Sequence, residues 1–478
     1  YRDYGNSSHG TSIVFQTGYS STNLTSENYI GMSRGVAVQT GSAASSGTPV
    51  VYEAAEVVLS NSGTLVAYDV NSGKIVIAYG DAGDSNKGKA IVGTVDSSDN
   101  SISYGTAVEF ESGNTSNVAI SYDANAQKVV IVYKDAGNSN YGTAIVGTVS
   151  GTSISFGTAT VFNSGDTDQI TISYDTNAQK HGIFYRNNSD AHGYGRVGTV
   201  SGTSISFGSH TQFSSSINPV NKSSAYDSTA QKIVLVWRAN GASDIGRAAV
   251  ATISGTSISF GSVAVYENAS IVRPRVVYDS NADKSVVVFQ DDANSNKGTA
   301  VVGTVSGTNI SFGSPVIFET GQMDHLTAVF DSDTNKVVVA YQDEDNSNFG
   351  TVVNGTVSGT TISFDTPSTF NSSNTQQTAS AYDSSQKRTV IAYKDAGNSN
   401  HGTAVVFKSN DVATTRAEVA SGQAASMDII GSVSDNQIGL TAGQQYFVQT
   451  DGTISTTAGS PSVLAGTAIS ATELVVKT

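Results

Sequence analysis

Cysteine is absent from all 478 residues, which excludes disulfides, thiolate metal ligands and cysteine nucleophiles and leaves core and sheet packing to hold the protein together. Charge is scarce as well. Asp, Glu, Lys and Arg make up 14% of the residues, against roughly a quarter in ordinary globular proteins, so the surface is largely Ser, Thr, Asn and Gly. No apolar run approaches the roughly eighteen residues a membrane-spanning helix needs. The charges that exist, 40 acidic against 25 basic for a net −15, run against a nucleic-acid partner, since phosphate binding is led by Lys and Arg. Proline is rare at 6 residues, whereas glycine is abundant at 48.

That glycine is used periodically. An aromatic residue followed by Asp recurs at Asp69, Asp123, Asp175, Asp227, Asp279, Asp331 and Asp383, with a first interval of 54 residues and five further intervals of 52. The second copy reads as four short strands, VAISYD, KVVIVYKD, GTAIVGTV and SISFGTATVF, because β-branched and aromatic runs are broken by Asn, Gly and Ser after every few residues. Between the first two strands, Asp123 in D-x-N-A-x-K can accept hydrogen bonds from its own turn. Between the last two, Ser150 and Gly151 suit a tight hairpin.

A four-stranded unit of this length gains a covered face only from its neighbours, so the expected fold is all-β: a seven-bladed β-propeller of 52-residue repeats. The last copy ends at GTAVVF without a fourth strand, and SGTPVVYE at Ser46–Glu53 resembles FGSPVIFE near Phe318. The N-terminal strand is therefore expected to complete the seventh blade and close the ring, removing two exposed edges. The propeller is placed at residues 45–409. Residues 1–44 read as a blade-like hairpin and connector, since YRDYGNSSHGTSIVF resembles YKDAGNSNHGTAVVF at Tyr393–Phe407; a partial eighth blade is the alternative. That opening suggests a processed or truncated part of something longer, such as a tandem array. Residues 410–478 lose the rhythm and read as a small β module whose core needs support.

Candidate chemistry lies in the loop between the second and third strands: DAGDSNKG, DAGNSNYG, DDANSNKG, DEDNSNFG and DAGNSNHG. Asp81, Asp135, Asn138, Asp291, Asn294, Asp343, Asn346, Asp395 and Asn398 carry oxygens of the type that contact glycan hydroxyls or a hard cation such as Ca²⁺. The same short side chains also cap their own turns, and their repetition favours that structural role. A second candidate is Arg186, Arg238, Arg247, Arg273 and Arg275, a departure from the repeat suited to an anionic group; strand-edge arginines that discourage pairing are the structural alternative. The six histidines show no zinc spacing, and no pair of carboxylates can be singled out as an acid–base pair. Trp237, at the place of Tyr133 and Tyr393, is expected to pack between sheets.

The motif YDxNAxKVVVxYxDxGNSNxGTAxVGTVSGTSISFG, followed by SGQAAS, GLTAGQQYFVQTDG and SPSVLAGTAISATELVVK, resembles repeat-containing structural proteins of marine tailed bacteriophages. NLTSENYIG at Asn23 resembles a connector between such propellers. Related repeats occur in marine bacterial surface proteins. The resemblance implies a non-enzymatic, tail- or fibre-associated protein of a virion or extracellular surface, serving assembly and host-surface adhesion. Its partners would be copies of itself, other virion or surface proteins, or a cell-surface glycan, without cofactor, nucleic acid or membrane insertion. The opposing expectation is a secreted glycan-binding or polysaccharide-degrading β-propeller.

Overall fold

The computed structural model describes residues 44–58, 65–215, 218–241 and 243–409, with the short segments 433–434, 441–442, 444–448, 454–458, 464–468 and 474–476. Of the opening hairpin and connector expected over residues 1–44, residues 1–43 lie outside the described residues. The protein is all-β: the described residues form strands and three 3₁₀ turns, and no α-helix occurs among them. Ser45–Ser409 is one compact unit. In the C-terminal region, Val433–Ser434, Gln445–Val448, Ile454–Ser455, Leu464–Ala468 and Leu474–Val476 form a five-stranded antiparallel sheet.

Each copy of the repeat builds the strands its sequence pattern anticipates. In the second copy, Lys128–Asp135 lies between the end of Val108–Asp123 and Tyr141–Ser150, and Tyr141–Ser150 pairs on its other side with Ser153–Phe156. Gly151 turns the last hairpin at φ +61°, where a Cβ would be strained. The sixteen-residue strand Thr160–Asp175 then changes sheets. Its first part pairs with Tyr141–Ala144 of the second copy, and from Thr167 onward it pairs with Lys180–Asn187 of the third. In the fourth and fifth copies the same path is broken into Thr211–Ser214 and Asn218–Asp227, then Ala264–Glu267 and Ile271–Asp279.

The strand Val50–Val58 follows this pattern against the far end of the unit. Val50, Val51, Glu53 and Glu56 pair with Ala404, Thr403, Gly402 and His401, the register in which Thr160, Val161, Asn163 and Asp166 meet Ala144, Thr143, Gly142 and Tyr141. Val57 and Val58 then pair with Asp81 and Gly80 of the first copy. The core is continuous there too, with Val390, Ala392, Ala404 and Val406 packed in one cluster with Ile75, Ile77 and Val92.

A repeated aromatic contact joins one copy to the next. Phe162, on the strand leaving the second copy, is fully buried and stands 5.3 Å from Tyr185 and 6.0 Å from Phe207 of the third, measured between ring centroids. It covers Gly142, where a Cβ would come within 2.5 Å of the ring, so only glycine lets the ring lie down on the strand. The motif recurs as Phe110 with Tyr133 and Phe156, Phe213 with Trp237 and Phe260, Tyr266 with Phe289 and Phe312, and Phe318 with Tyr341 and Phe364. Tyr52 makes it with Tyr79 and Tyr104 while covering Gly402. Trp237, 1% exposed, is a packing residue.

The repeated Asp serves its turn. Asp123 Oδ1 accepts the N–H groups of Asn125 and Ala126 at 3.0 and 2.8 Å, and Asp69, Asp175, Asp279, Asp331 and Asp383 each accept two in the same way. The preceding aromatic reaches the turn of the copy before it: Tyr174 Oη accepts the Asn125 N–H at 3.2 Å and Tyr226 Oη the Asn177 N–H at 3.3 Å. Burial first, and then the Asp123 carboxylate, push the Tyr174 hydroxyl up to about 12.

Truncating a buried aromatic removes its contacts and leaves a cavity. Phe162→Ala is expected to destabilise the unit by about 3–5 kcal/mol, read as a lower midpoint in urea unfolding; a loss below about 1 kcal/mol would show that the contact between copies is not limiting.

Candidate functional site

The loops between second and third strands lie at the same end of the unit as the strands that cross between copies. The carbonyls of Asn86, Asn140, Asn296 and Asn348 accept the N–H groups of Thr115, Thr167, Met323 and Thr375 of the following copy at 2.8–3.1 Å, and the Asn400 carbonyl accepts that of Val57 at 3.3 Å. Each carbonyl is aimed by a Ser–Asn pair with positive φ, such as Ser139 at +56° and Asn140 at +61°, a conformation Asn tolerates better than most residues. This end is the loop face of the unit.

Some of the loop oxygens singled out from sequence are engaged within the fold, whereas the buried Oδ1 atoms of Asp81 and Asp395 have no hydrogen-bond partner among the described residues. Asp135 Oδ1 accepts the Asn138 N–H at 3.0 Å and Asp343 Oδ1 that of Asn346 at 3.1 Å. The Asp395 carbonyl takes the Asn398 N–H at 3.0 Å. Asp81 Oδ2 is ion-paired with Lys89. Asp291 is raised by burial, an effect opposed by hydrogen bonds from Asn294. Burial, followed by the nearby Glu111 and Glu319 carboxylates, raises Asp135 and Asp343. Those two glutamates accept the hydroxyls of Tyr133 and Tyr341 at 3.1 and 2.8 Å. Among the described residues, no group of three or more His, Asp or Glu is gathered as a metal set.

The position just after these loops is not among the sequence candidates. The third strands begin at Lys87, Tyr141, His192, Ile245, Lys297, Phe349 and His401. All but Ile245 are partly exposed, and six of the seven are aromatic or cationic, five of these, Lys87, Tyr141, Lys297, Phe349 and His401, inside the repeated S-N-x-G frame. The signal lies in the loop sequences themselves, where N-S-N-x-G differs mainly at x.

Of the five arginines, four are held by neighbours. Arg186 Nη2 meets Asp168 at 3.2 Å, and Nη1 and Nε donate to Asn218 and Asn188. Arg238 pairs with Asp244 at 2.9 Å and Arg273 with Asp324 at 2.8 Å. Arg275 is 9% exposed, donates to the Pro274 carbonyl at 3.1 Å and is pushed down to about 10, chiefly by burial and then by Arg273. Arg247 lies across the strand ladder from Trp237. The structure thus brings Arg273 and Arg275 together, while Arg186 and Arg238 sit in separate ion pairs.

Arg273 belongs to a series of bulges that sequence did not reveal. Asn117, Gln169, Asn221, Arg273, His325 and Gln377 fall 52 residues apart with φ of +49° to +53°, each at a β-bulge in the first strand. Asn tolerates this region, but for Gln169, Arg273 and Gln377 it is uncommon and costs about 1–3 kcal/mol each. Side chains link neighbouring bulges: Asn117 Oδ1 accepts the Gln169 N–H at 3.2 Å, Gln169 Oε1 accepts the Asn221 N–H at 2.6 Å, and Arg273 bonds His325 Nδ1. Lys222, one residue beyond a bulge where other copies have Val118, Ile170 or Leu326, is fully buried and donates to the Pro219 carbonyl at 3.0 Å. Burial holds its ammonium well below the usual lysine range. The first strands also line a cavity of about 520 Å³, bordered by Tyr68, Tyr122, Tyr174, Tyr226, Tyr278, Phe330 and Tyr382.

His325 is the histidine of this series. Burial, then the Arg273 guanidinium, push it down from 6.5 to about 4, with Asp324 opposing and Arg275 and Lys394 assisting. Between those values the unfolded protein binds a proton the folded one excludes, so stability falls as pH drops from about 6.5 to about 4. His325→Gln, the residue found at Gln377, is expected to flatten that part of a stability-against-pH curve measured in urea; an unchanged slope would place the proton elsewhere.

No family model and no curated protein matches the sequence. Among solved structures, the BP39L lectin from Burkholderia pseudomallei is similar with a TM-score of 0.55 and 10% identity, over 72% of this chain and 95% of the lectin. AofleA from Arthrobotrys oligospora, at 9% identity over 69% of this chain and 93% of its own, and a leech intramolecular trans-sialidase, at 11% over 75% and 69%, both give 0.42. At such identities likeness is one of fold alone, and the protein has the β-propeller-like all-β fold it shares with the BP39L lectin.

Proposed function

We propose that the protein is a non-enzymatic glycan-binding protein, a closed seven-bladed propeller that presents repeated shallow sites on its loop face. Closure is supported by the pairing of Val50–Val58 with His401–Lys408, by the Asn400–Val57 hydrogen bond, and by a cavity bordered by the equivalent aromatic of every copy.

The observation that carries the binding reading is the variable position at the start of the third strands. Tyr141, Phe349 and His401 each follow a left-handed Asn, respectively Asn140, Asn348 and Asn400. A sugar ring offers an apolar C–H face to an aromatic ring and an edge of hydroxyls that both donate and accept, which an amide side chain matches. A position that changes between Tyr, Phe, His and Lys while its frame is kept is suited to recognition, since the fold makes no single demand on it. The lectin of similar fold fits this reading. The surface adhesion that the sequence resemblance implies would use the same contacts, and both readings call for binding without cleavage.

Glycan-array screening followed by titration tests the proposal. Tyr141→Ala and Phe349→Ala, with unchanged far-ultraviolet circular dichroism, are expected to weaken binding to the selected glycan by roughly fivefold each, the equivalent of about 1 kcal/mol of ring contact. Appearance of shortened glycan products would overturn the non-enzymatic part. Full affinity in both variants would remove the loop-face site.

A further inference from the structure

The sequence contains two Asn–Gly pairs, Asn240–Gly241 and Asn354–Gly355, and the fold treats them in opposite ways. Asn–Gly is the dipeptide in which a backbone nitrogen most readily attacks the preceding side-chain amide, because glycine has no Cβ to obstruct the approach and its backbone is free to turn. Attack requires the Asn backbone to leave the extended conformation, so a hydrogen-bonded strand suppresses it and an exposed loop permits it.

Asn354 lies within Phe349–Ser358, 3% exposed. It pairs with Val338, and Gly355 pairs with Val337 on one side and Phe364 on the other. The Asn354 carbonyl accepts the Asp365 N–H at 2.9 Å, and a Cβ on Gly355 would lie 2.7 Å from Ile362 and 2.8 Å from Phe364. Asn240, by contrast, is the last residue of Lys232–Asn240 and is exposed. Its ladder ends at Asn218. Gly241 follows at φ +91° with open space where a Cβ would stand.

We propose that Asn240 is a site of spontaneous deamidation, a covalent modification of the loop face, and that Asn354 is its protected counterpart. The Gly241 nitrogen, losing its proton to water, forms a bond to Asn240 Cγ. The bond from Cγ to the amide nitrogen Nδ2 breaks and ammonia departs, leaving a five-membered succinimide. Water then opens either carbonyl of that ring, giving aspartate or isoaspartate at position 240. The net change is amide plus water to carboxylate plus ammonium, with no electron transferred.

The fourth copy is the one whose loop has Ala239 where the second has Asp135. Deamidation therefore places a carboxylate one residue from a position where other copies carry one, on the strand that holds the Arg238–Asp244 pair. The isoaspartate product also lengthens the backbone by one atom at the edge of the strand.

The test is ageing of the folded full-length protein at mildly alkaline pH, with tryptic peptides resolved by mass spectrometry under fragmentation that separates aspartate from isoaspartate. The Asn240 peptide is expected to convert at least ~10-fold faster than the Asn354 peptide, and the ratio is expected to fall to about 1 in urea, where strand protection is gone. Asn240→Gln should abolish conversion at that position and leave Asn354 unchanged in either solvent. Retention of the Asn240 amide in folded protein, under conditions where the urea-unfolded protein loses it, would overturn the proposal, as would equal conversion of Asn354 in the folded state.

Discussion

When the ring of Phe162 lies across Gly142 and against Tyr185, a single residue covers the strand of its own copy and the core of the next. A sheet of four short strands is too small to bury either of its faces, and a lone sheet of this size has little stability in water. The aromatic on each crossing strand removes that deficiency in both directions at once. The other repeated features fit around it. Glycine faces the ring, and the crossing strand is long enough to serve two sheets. The left-handed Ser–Asn pair presents a carbonyl to the strand that leads into the next copy. Removing the ring takes away contacts on both copies at once.

This arrangement separates what the repeat must keep from what it can vary. Asp123 and its equivalents are committed to their turns, and the leading Asp of several loops is committed to an N–H three residues on or to a lysine. Arginine, introduced in the third to fifth copies, arrives with its own counter-charge at Asp168, Asp244 or Asp324. These three pairs neutralise Arg186, Arg238 and Arg273 locally, while Arg275 donates to the Pro274 carbonyl and the net charge stays at −15. The residue that opens each third strand is not held to one type by these demands: Lys87 is ion-paired with Asp84 and Glu109 and Ile245 is buried, while Phe349 and His401 are partly exposed.

Strands, turns and the placing of the Ser46–Glu53 segment beside the last copy were legible in sequence because their causes are local or repeated: β-branched runs, glycine at hairpins, Asp before a turn, and a segment that matches another fragment of the same protein. The series of bulges was not. Asn117, Gln169, Asn221, Arg273, His325 and Gln377 share no residue type, and their left-handed backbone is imposed by pairing across sheets. Nor was the fate of the arginines. Arg273 and Asp324 are 51 residues apart, and nothing short of the packed copies shows that one neutralises the other. Tyr141 and Phe349 stand at the one variable letter of a regular motif, and a repeat advertises the letters that stay the same.

The pairing of Ser45 with Lys408 and Ser46 with Phe407 brings the entrance and exit of the 45–409 unit to the same end of an antiparallel ladder. Tension applied through those two points would load the hydrogen bonds one after another, as in a zipper, and would not shear them together. Ser45, Ser46, Phe407 and Lys408 of this seam lie outside the core cluster that joins the last copy to the first, so tension at the two ends would open the unit where the polypeptide enters and leaves.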